Sequence, residues 1–382
     1  MYSVFPLGLA RTTRAADLGR RLLTVLTGAT AAAFLLRALG HALGEPAAAS
    51  LPRLLWCLPV LAAVAWFAAA AARAVPAEQP ERIAGLTAAG AGPGRIRALI
   101  AGEAALSAAL GSGLTLLVFL ILRNDVAGPG LAADLGTGIA LPAAAPVVLL
   151  ALVPLTAGCA AAAAVPTVES LPGSTVPAPA PAAFHPVRIA VPTGLALVGF
   201  ALELYGLRPG AEQDGRPVVL PAHAGTVGVA ALAGWALTAL GLALLTAPLL
   251  ALAGRLLAAR RPEPLRLLAG RALTAQARRL GGPLAVLALV LAVPAVALGS
   301  GERSSTPVRV AALLVVGCAI GAVVARVLEI RATRGEVTDT LVRLGAPQGL
   351  LTSAVAVQAV TAAGVLLLTG GLTALLAAAA LV

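Results

Sequence analysis

The chain has 382 residues, of which 59% are apolar and only 11% are charged, and this composition excludes an ordinary soluble domain. The net charge of +11 comes from Arg alone, because the chain contains no Lys. Without Lys the chain cannot form a phosphate-binding P-loop or a Schiff base. Arg-only basic usage with abundant Ala, Gly and Pro indicates a GC-rich bacterial genome, so the charge does not predict nucleic-acid binding.

Nine apolar stretches predict helices that cross a bilayer of roughly 30 Å, so the expected class is an all-α, polytopic membrane protein. They lie at about residues 22–43, 54–75, 98–122, 139–165, 188–206, 222–254, 283–299, 308–328 and 350–376. With the N-terminus in the cytoplasm, 20 of the 27 Arg lie on the cytoplasmic side and 6 outside, so the positive-inside rule supports this orientation in a bacterial plasma membrane. The odd number of spans then places the C-terminus outside.

One polar segment between spans occurs twice. Residues 81–104 read ERIAGLTAAGAGPGRIRALIAGEA, and residues 336–359 read EVTDTLVRLGAPQGLLTSAVAVQA. The shared pattern E-x4-L-x3-G-A-x11-[EQ]-A pairs Glu81, Leu86, Gly90 and Glu103 with Glu336, Leu341, Gly345 and Gln358. Each segment predicts about two helical turns that end at the Gly, where a left-handed conformation costs least.

The spans divide into two halves and an insert. Residues 1–171 form the first half, residues 172–260 hold a Pro-rich linker and two spans, and residues 261–382 form an incomplete second half with three spans. Residues 166–187 predict an extended, partly polyproline linker. The two halves also share a basic pair just before a span, Arg20-Arg21 in the first and Arg278-Arg279 in the second.

The order of these motifs resembles the FtsX-like permease family, the membrane subunits of a class of ABC transporters. RIAGLTAAGA and VTDTLVRLGA are similar to the family's cytoplasmic signature, and PTVESL at residues 166–171 to the end of its repeat. The family acid is shifted by one residue, to Glu81 and Glu336, and Thr87 and Val342 replace the signature Arg. The resemblance implies two FtsX-like repeats with a two-span insert, shortened at the C-terminus.

The resemblance also implies a partner, a separate ABC ATPase subunit that binds the ATP, so this chain is expected to need no cofactor of its own. The candidate coupling residues are Glu81, Arg82, Leu86, Gly90, Glu336, Leu341, Arg343 and Gly345. The two Leu are expected to insert into apolar clefts of the ATPase, within a rim of charges. Taken without the resemblance, each segment is equally a solvated loop between two spans. Membrane lipids are further expected partners, nucleic acid is not, and a homodimer or a second permease chain stays open.

Ionisable residues within the spans are candidates for a substrate pathway. Arg37 and His41 lie four residues apart on one helical face, and Glu103 lies just inside a span. The alternatives are snorkelling of Arg37 to the headgroups and hydrogen bonding of Glu103 to a neighbouring helix. Glu203 is expected at the membrane interface. The spacing of Gly317 and Gly321 predicts close helix approach.

The sequence therefore predicts an ABC permease subunit that moves an amphipathic substrate, such as a lipid, peptide or antibiotic. One alternative is an ATPase-driven signal transmitter that regulates an extracytoplasmic partner. Another is a secondary transporter, which needs buried acids near mid-membrane. An enzyme is not predicted, because paired carboxylates, clustered His and a Ser-His-Asp arrangement are not found, and the three Cys and three His lack a metal-ligand spacing.

Overall fold

A computed structural model describes residues 5–43, 57–126, 144–165, 187–208, 218–219, 226–259, 263–299 and 306–381. Within these residues, nine helices are long and apolar enough to cross a membrane. They correspond in order to the nine predicted spans, which confirms the all-α polytopic class. The chain forms two compact units, Met1–Val176 and Pro177–Val382. The Pro-rich linker at 166–186 and the predicted end of the first repeat lie outside the described residues.

The described residues of the first unit form five helices. They are α1 (Phe5–Leu43), α2 (Leu58–Glu78), α3 (Pro80–Ala88), α4 (Pro93–Ile121, followed by a π-helical turn at Leu122–Val126) and α5 (Ala144–Ala164). α1 packs on α4, and α5 contacts α1, α2 and α4. Gly111 permits the close α1–α4 approach, because a Cβ there would lie 2.2 Å from the Val25 carbonyl oxygen. Small residues at such crossings are how helices associate where lipid supplies no hydrophobic drive.

The second unit begins with α6 (Val187–Gly206) and a two-stranded antiparallel hairpin, β1 (Val218–Val219) and β2 (Thr226–Val227). It continues with α7 (Val229–Ala259), α8 (Pro264–Val290), α9 (Ala292–Gly299), α10 (Thr306–Arg343) and α11 (Gln348–Leu381). α7 packs on α6, α8 and α11, and α8 also contacts α10 and α11. The two spans of the predicted insert, α6 and α7, thus belong to the same unit as the second half.

Two boundaries differ from the sequence prediction. The seventh span was expected at 283–299, but α8 begins at Pro264, so the basic segment before it continues into the span as one helix. The helix is then interrupted at Leu291. Pro294 explains the interruption, because it lacks the N–H that a continuous helix would donate to the Val290 carbonyl.

The two repeated segments also join their preceding spans differently. α3 is a separate short helix, because Pro80 cannot donate to the carbonyl of Pro76 and the chain turns at Gln79 (φ −127°, ψ 56°). The second segment was expected to form a short helix as well. It is instead the last part of the 38-residue α10, which has no Pro between its second residue and its end. α10 is roughly 57 Å long, so it extends well beyond the hydrocarbon.

Candidate functional site

The two repeated segments end in the same backbone motif. Gly90 has φ +81° and Gly345 has φ +92°, which confirms the predicted left-handed cap at both positions. At the first, the Ala91 N–H donates to the Leu86 carbonyl (2.9 Å) and the Gly90 N–H to that of Thr87 (3.0 Å). This pair of bonds is the Schellman motif.

The second segment repeats both bonds at the equivalent atoms. The Ala346 N–H donates to the Leu341 carbonyl and the Gly345 N–H to the Val342 carbonyl, each at 3.0 Å. The next span begins at Pro93 in the first unit and at Gln348 in the second. The sequence duplication therefore corresponds to a duplicated local structure, a capped helix end followed directly by a span. We call these two structures the capped segments, residues 80–92 and 336–347.

The two Leu side chains that were predicted to contact the ATPase, Leu86 and Leu341, are only half exposed. Leu86 packs against a core cluster that includes Val75, Ile83 and Ile100, so part of its side chain serves its own unit. Leu341 is half-buried as well. Leu344, one residue before the capping Gly, is 79% exposed and was missed by the sequence analysis. Leu344 is not part of the repeat pattern, but its place directly before the capping Gly, at the end of a helix, is the sequence feature that could have identified it.

Charged coupling candidates lie at different depths. Glu81 and Arg343 are exposed, whereas Arg82 is half-buried and turned toward its own unit. Arg82 Nη1 lies 3.2 Å from Oε2 of Glu103. This hydrogen-bonded ion pair raises the pKa of Arg82 above its ordinary value. The side chain of Glu336 lies outside the described residues.

An ion-pair network connects four helices of the first unit around Glu103. Arg20 on α1 pairs with Glu78 at the end of α2 (3.1 Å), and it also pairs with Asp17. Arg21 pairs with Asp17 (3.1 Å) and lies 3.9 Å from Glu103, which itself pairs with Arg82. A cleft between α1, α2 and α4 opens beside Arg20, Arg21 and Glu103. Glu103 thus contacts neighbouring helices, in agreement with the alternative prediction that it bonds to a neighbouring helix.

The three substrate-pathway candidates do not form one site. Arg37 and His41 are half-buried near the C-terminal end of α1. Glu103 lies beside Arg21 of α1. Arg21 comes sixteen residues before Arg37 on that helix, so the two are separated by about 24 Å along the helix axis. A ligand that contacts Glu103 would therefore have to be long to reach Arg37.

Glu203 on α6 was expected at the membrane interface, but the structure buries it between α6 and α7. Its side chain is 1% exposed, and neither carboxylate oxygen has a hydrogen-bond partner among the described residues. The helices approach closely here, because a Cβ on Gly234 of α7 would lie 2.3 Å from the Glu203 nitrogen. The position of Glu203 near the end of a span predicted exposure and not burial. Gly234, which lets α7 cover Glu203, lies 31 residues later in the sequence, so the contact could not be predicted from local spacing.

Metal chemistry finds no support in the part of the chain that the structure describes, where no group of three or more His, Cys, Asp or Glu could hold an ion. Comparison with known proteins adds no relative: no family model, no curated protein and no solved structure matches this chain.

Proposed function

We propose that this multi-pass membrane protein is the permease subunit of an ABC transporter of the FtsX-like class, driven by a separate ATPase. The observation that carries the proposal is the pair of capped segments, each a helix end fixed by a Schellman motif and followed within a few residues by the next span. A rigid helix end joined to a membrane span can transmit a movement applied to it. Two such ends match a symmetric pair of ATPase subunits.

Contact with the ATPase is assigned to the exposed face of each segment. Leu344 offers the largest apolar contact, and Ala88 and Ala89 form the corresponding exposed turn in the first unit. Burying one Leu side chain contributes roughly 1.5–3 kcal/mol when it is fully covered. Glu81 and Arg343 lie at the rim and set register more than affinity. Leu86 and Leu341, which are half-buried, then stabilise the position of each segment within its own unit.

The test is isolation of the native complex in mild detergent. The proposal expects a P-loop ATPase to co-purify with the wild-type chain, and Leu344→Asp to reduce its recovery. Ala332→Asp is the matched control, because it adds the same charge at an exposed position of α10 before the capped segment begins. Equal recovery with both variants would show that the second segment is an ordinary interfacial turn. The moved substrate is proposed to be amphipathic, and substrate-stimulated ATPase activity in vesicles would distinguish transport from transmembrane signalling.

A secondary transporter is the second candidate, and Glu203 is the observation that favours it. Glu203 lies three residues before the end of α6 rather than at mid-membrane, and a buried acid in a span commonly marks an ion pathway. Isolation of the complex separates the two candidates, because a secondary transporter would be recovered without an ATPase.

A further inference from the structure

The second unit keeps the basic pair of the first unit but not its acids. Arg278-Arg279 aligns with Arg20-Arg21, and in that register Ala275 replaces Asp17. In the register of the repeated segments, Thr333 replaces Glu78 and Gln358 replaces Glu103. Each of the three acids that neutralise the first unit's network thus has an uncharged counterpart in the second. The second unit therefore keeps the Arg pair but lacks the acidic side chains that neutralise the pair in the first unit.

Three arginines gather between α8 and α10 in the second unit. Arg326 Nε donates to the Arg279 carbonyl (3.2 Å), and Arg326 pairs with Glu329 on its own helix. The half-buried Arg334 lies against Gln276, which precedes the exposed Arg279 by one helical turn on α8. We call Arg279, Arg326 and Arg334 the basic cluster. Glu329 is its one acidic partner among the described side chains, so the cluster carries an excess of positive charge.

A buried amide fixes one side of the basic cluster. Gln276 is 7% exposed and its side-chain amide lies against the Arg334 guanidinium; the amide assignment that satisfies both groups places the oxygen 3.0 Å from Nε. A neutral oxygen orients the guanidinium but leaves its charge uncompensated. Like charges held close together in a partly buried setting favour an added anion, and the planar guanidinium suits a phosphate best.

The basic cluster lies at the edge of the apolar stretches. Residues 280–299 and 310–325 contain no charged residue, and Arg279 and Arg326 are the first charges beside them. The cluster is therefore at the level where phospholipid headgroups begin. A phosphate at this depth is most readily supplied by a lipid.

We propose that the basic cluster binds a phosphate group, which an anionic phospholipid headgroup supplies. The proposal is independent of any ATPase, and its failure would leave the proposed permease function untouched. It assigns the second unit a lipid site where the first unit has internal ion pairs. Bound lipid would join α8 to α10, and α10 carries the second capped segment at its end.

Thermal unfolding of the full chain in neutral detergent tests the proposal. The chain is titrated with phosphatidylglycerol, with phosphatidylcholine of the same acyl chains, or with inorganic phosphate. A saturable rise in Tm with phosphatidylglycerol alone is the expected result. The same rise with inorganic phosphate would retain the anion site but identify its source as free phosphate. No rise with either anion would overturn the proposal.

Two variants distinguish the basic cluster from diffuse surface charge. Arg279→Gln with Arg334→Gln should weaken phosphatidylglycerol binding about thirtyfold, since an arginine near an anionic surface contributes on the order of fivefold. Arg271→Gln with Arg331→Gln removes the same charge from exposed positions outside the cluster and should leave binding nearly unchanged. An equal loss of phosphatidylglycerol binding in the two double variants would show that the lipid is attracted by general surface charge, and this would overturn the proposal.

A gain-of-acid variant covers the case in which the cluster variant fails to fold. Ala275 is exposed, and Ala275→Asp places a carboxylate three and four residues before Arg278 and Arg279, as Asp17 stands before Arg20 and Arg21. This variant should raise the Tm of the lipid-free chain and diminish its response to phosphatidylglycerol. A full lipid response in a folded Ala275→Asp chain would contradict the site.

Discussion

At the scale of single residues, Glu203 makes the sharpest prediction. Its carboxylate is buried without a described partner, and an unsatisfied buried polar group costs about 1–3 kcal/mol. Glu203→Leu should therefore raise the free energy of unfolding by about that amount, measured as a higher Tm in detergent. Glu203→Gln, which stays polar, is the control and should raise it less. A fall in Tm for Glu203→Leu would show that the carboxyl has a partner beyond the described residues.

The ionisable residues also show how far the sequence predicts a site. Glu103 was predicted either to line a substrate pathway or to bond a neighbouring helix, and the structure shows contacts of the second kind. Its actual partners, Arg82 and Arg21, come from two other helices. Asp17 and Glu78 were missed, since nothing in a linear sequence shows which helix ends meet. Spacing predicts contacts along one helix, whereas contacts between helices depend on packing.

At the scale of elements, the caps of the repeated segments lead to a paired prediction. A non-Gly residue in the left-handed region costs roughly 1–2 kcal/mol. Gly90→Ala should lower the free energy of unfolding by about that amount, and Gly90→Asn by less, since Asn tolerates this conformation better. No atom lies within 4 Å of a Cβ at Gly90, so the effect is one of backbone conformation alone.

Gly92 provides the matched control for this experiment. It is the N-cap of α4 with an extended backbone (φ −70°, ψ 165°) and equally open surroundings, so Gly92→Ala should lower Tm by less than Gly90→Ala. Thermal unfolding of the two variants in the same detergent makes the comparison. Equal losses would mean that flexibility of the turn, rather than the left-handed cap, determines its stability.

Helix packing gives a second prediction at this scale. Gly234 contacts the α6 backbone, whereas a Cβ at Gly317 would meet no atom within 4 Å. Gly234→Val should lower the free energy of unfolding by about 1–3 kcal/mol through overpacking, and Gly317→Val should be nearly neutral. Tm measurements of both variants decide the question. A large effect at Gly317 would instead indicate a contact with another chain at that face.

These glycines mark a limit of sequence reasoning about elements. Gly317 and Gly321 have the small-xxx-small spacing, yet the former faces open space, while Gly111 and Gly234 make the close crossings. A chain with 41 Gly contains such spacings in excess of real contacts. The capping glycines were predictable, because a Gly followed within three residues by Pro ends a helix through local geometry alone.

At the scale of the whole molecule, hydropathy predicts the spans and leaves their assembly open. All nine spans have counterparts, since each needs only length and an apolar sequence. The grouping of α6 and α7 with the second half follows from side-chain fit between α7, α8 and α11, which composition does not record. Membrane orientation stays a prediction of the Arg distribution.

The orientation prediction is that both capped segments face the cytoplasm. Six of the nine spans lie between residues 88 and 344, and an even number returns the chain to the same side. With Cys57, Cys159 and Cys318 replaced by Ala, a cysteine at Thr87 or at Leu344 should resist a membrane-impermeant maleimide in intact cells, and one at position 130 should react. Permeabilised cells should label all three, which controls for reactivity. Labelling of only one capped segment in intact cells would place the two on opposite faces, and a single ATPase complex could then not contact both.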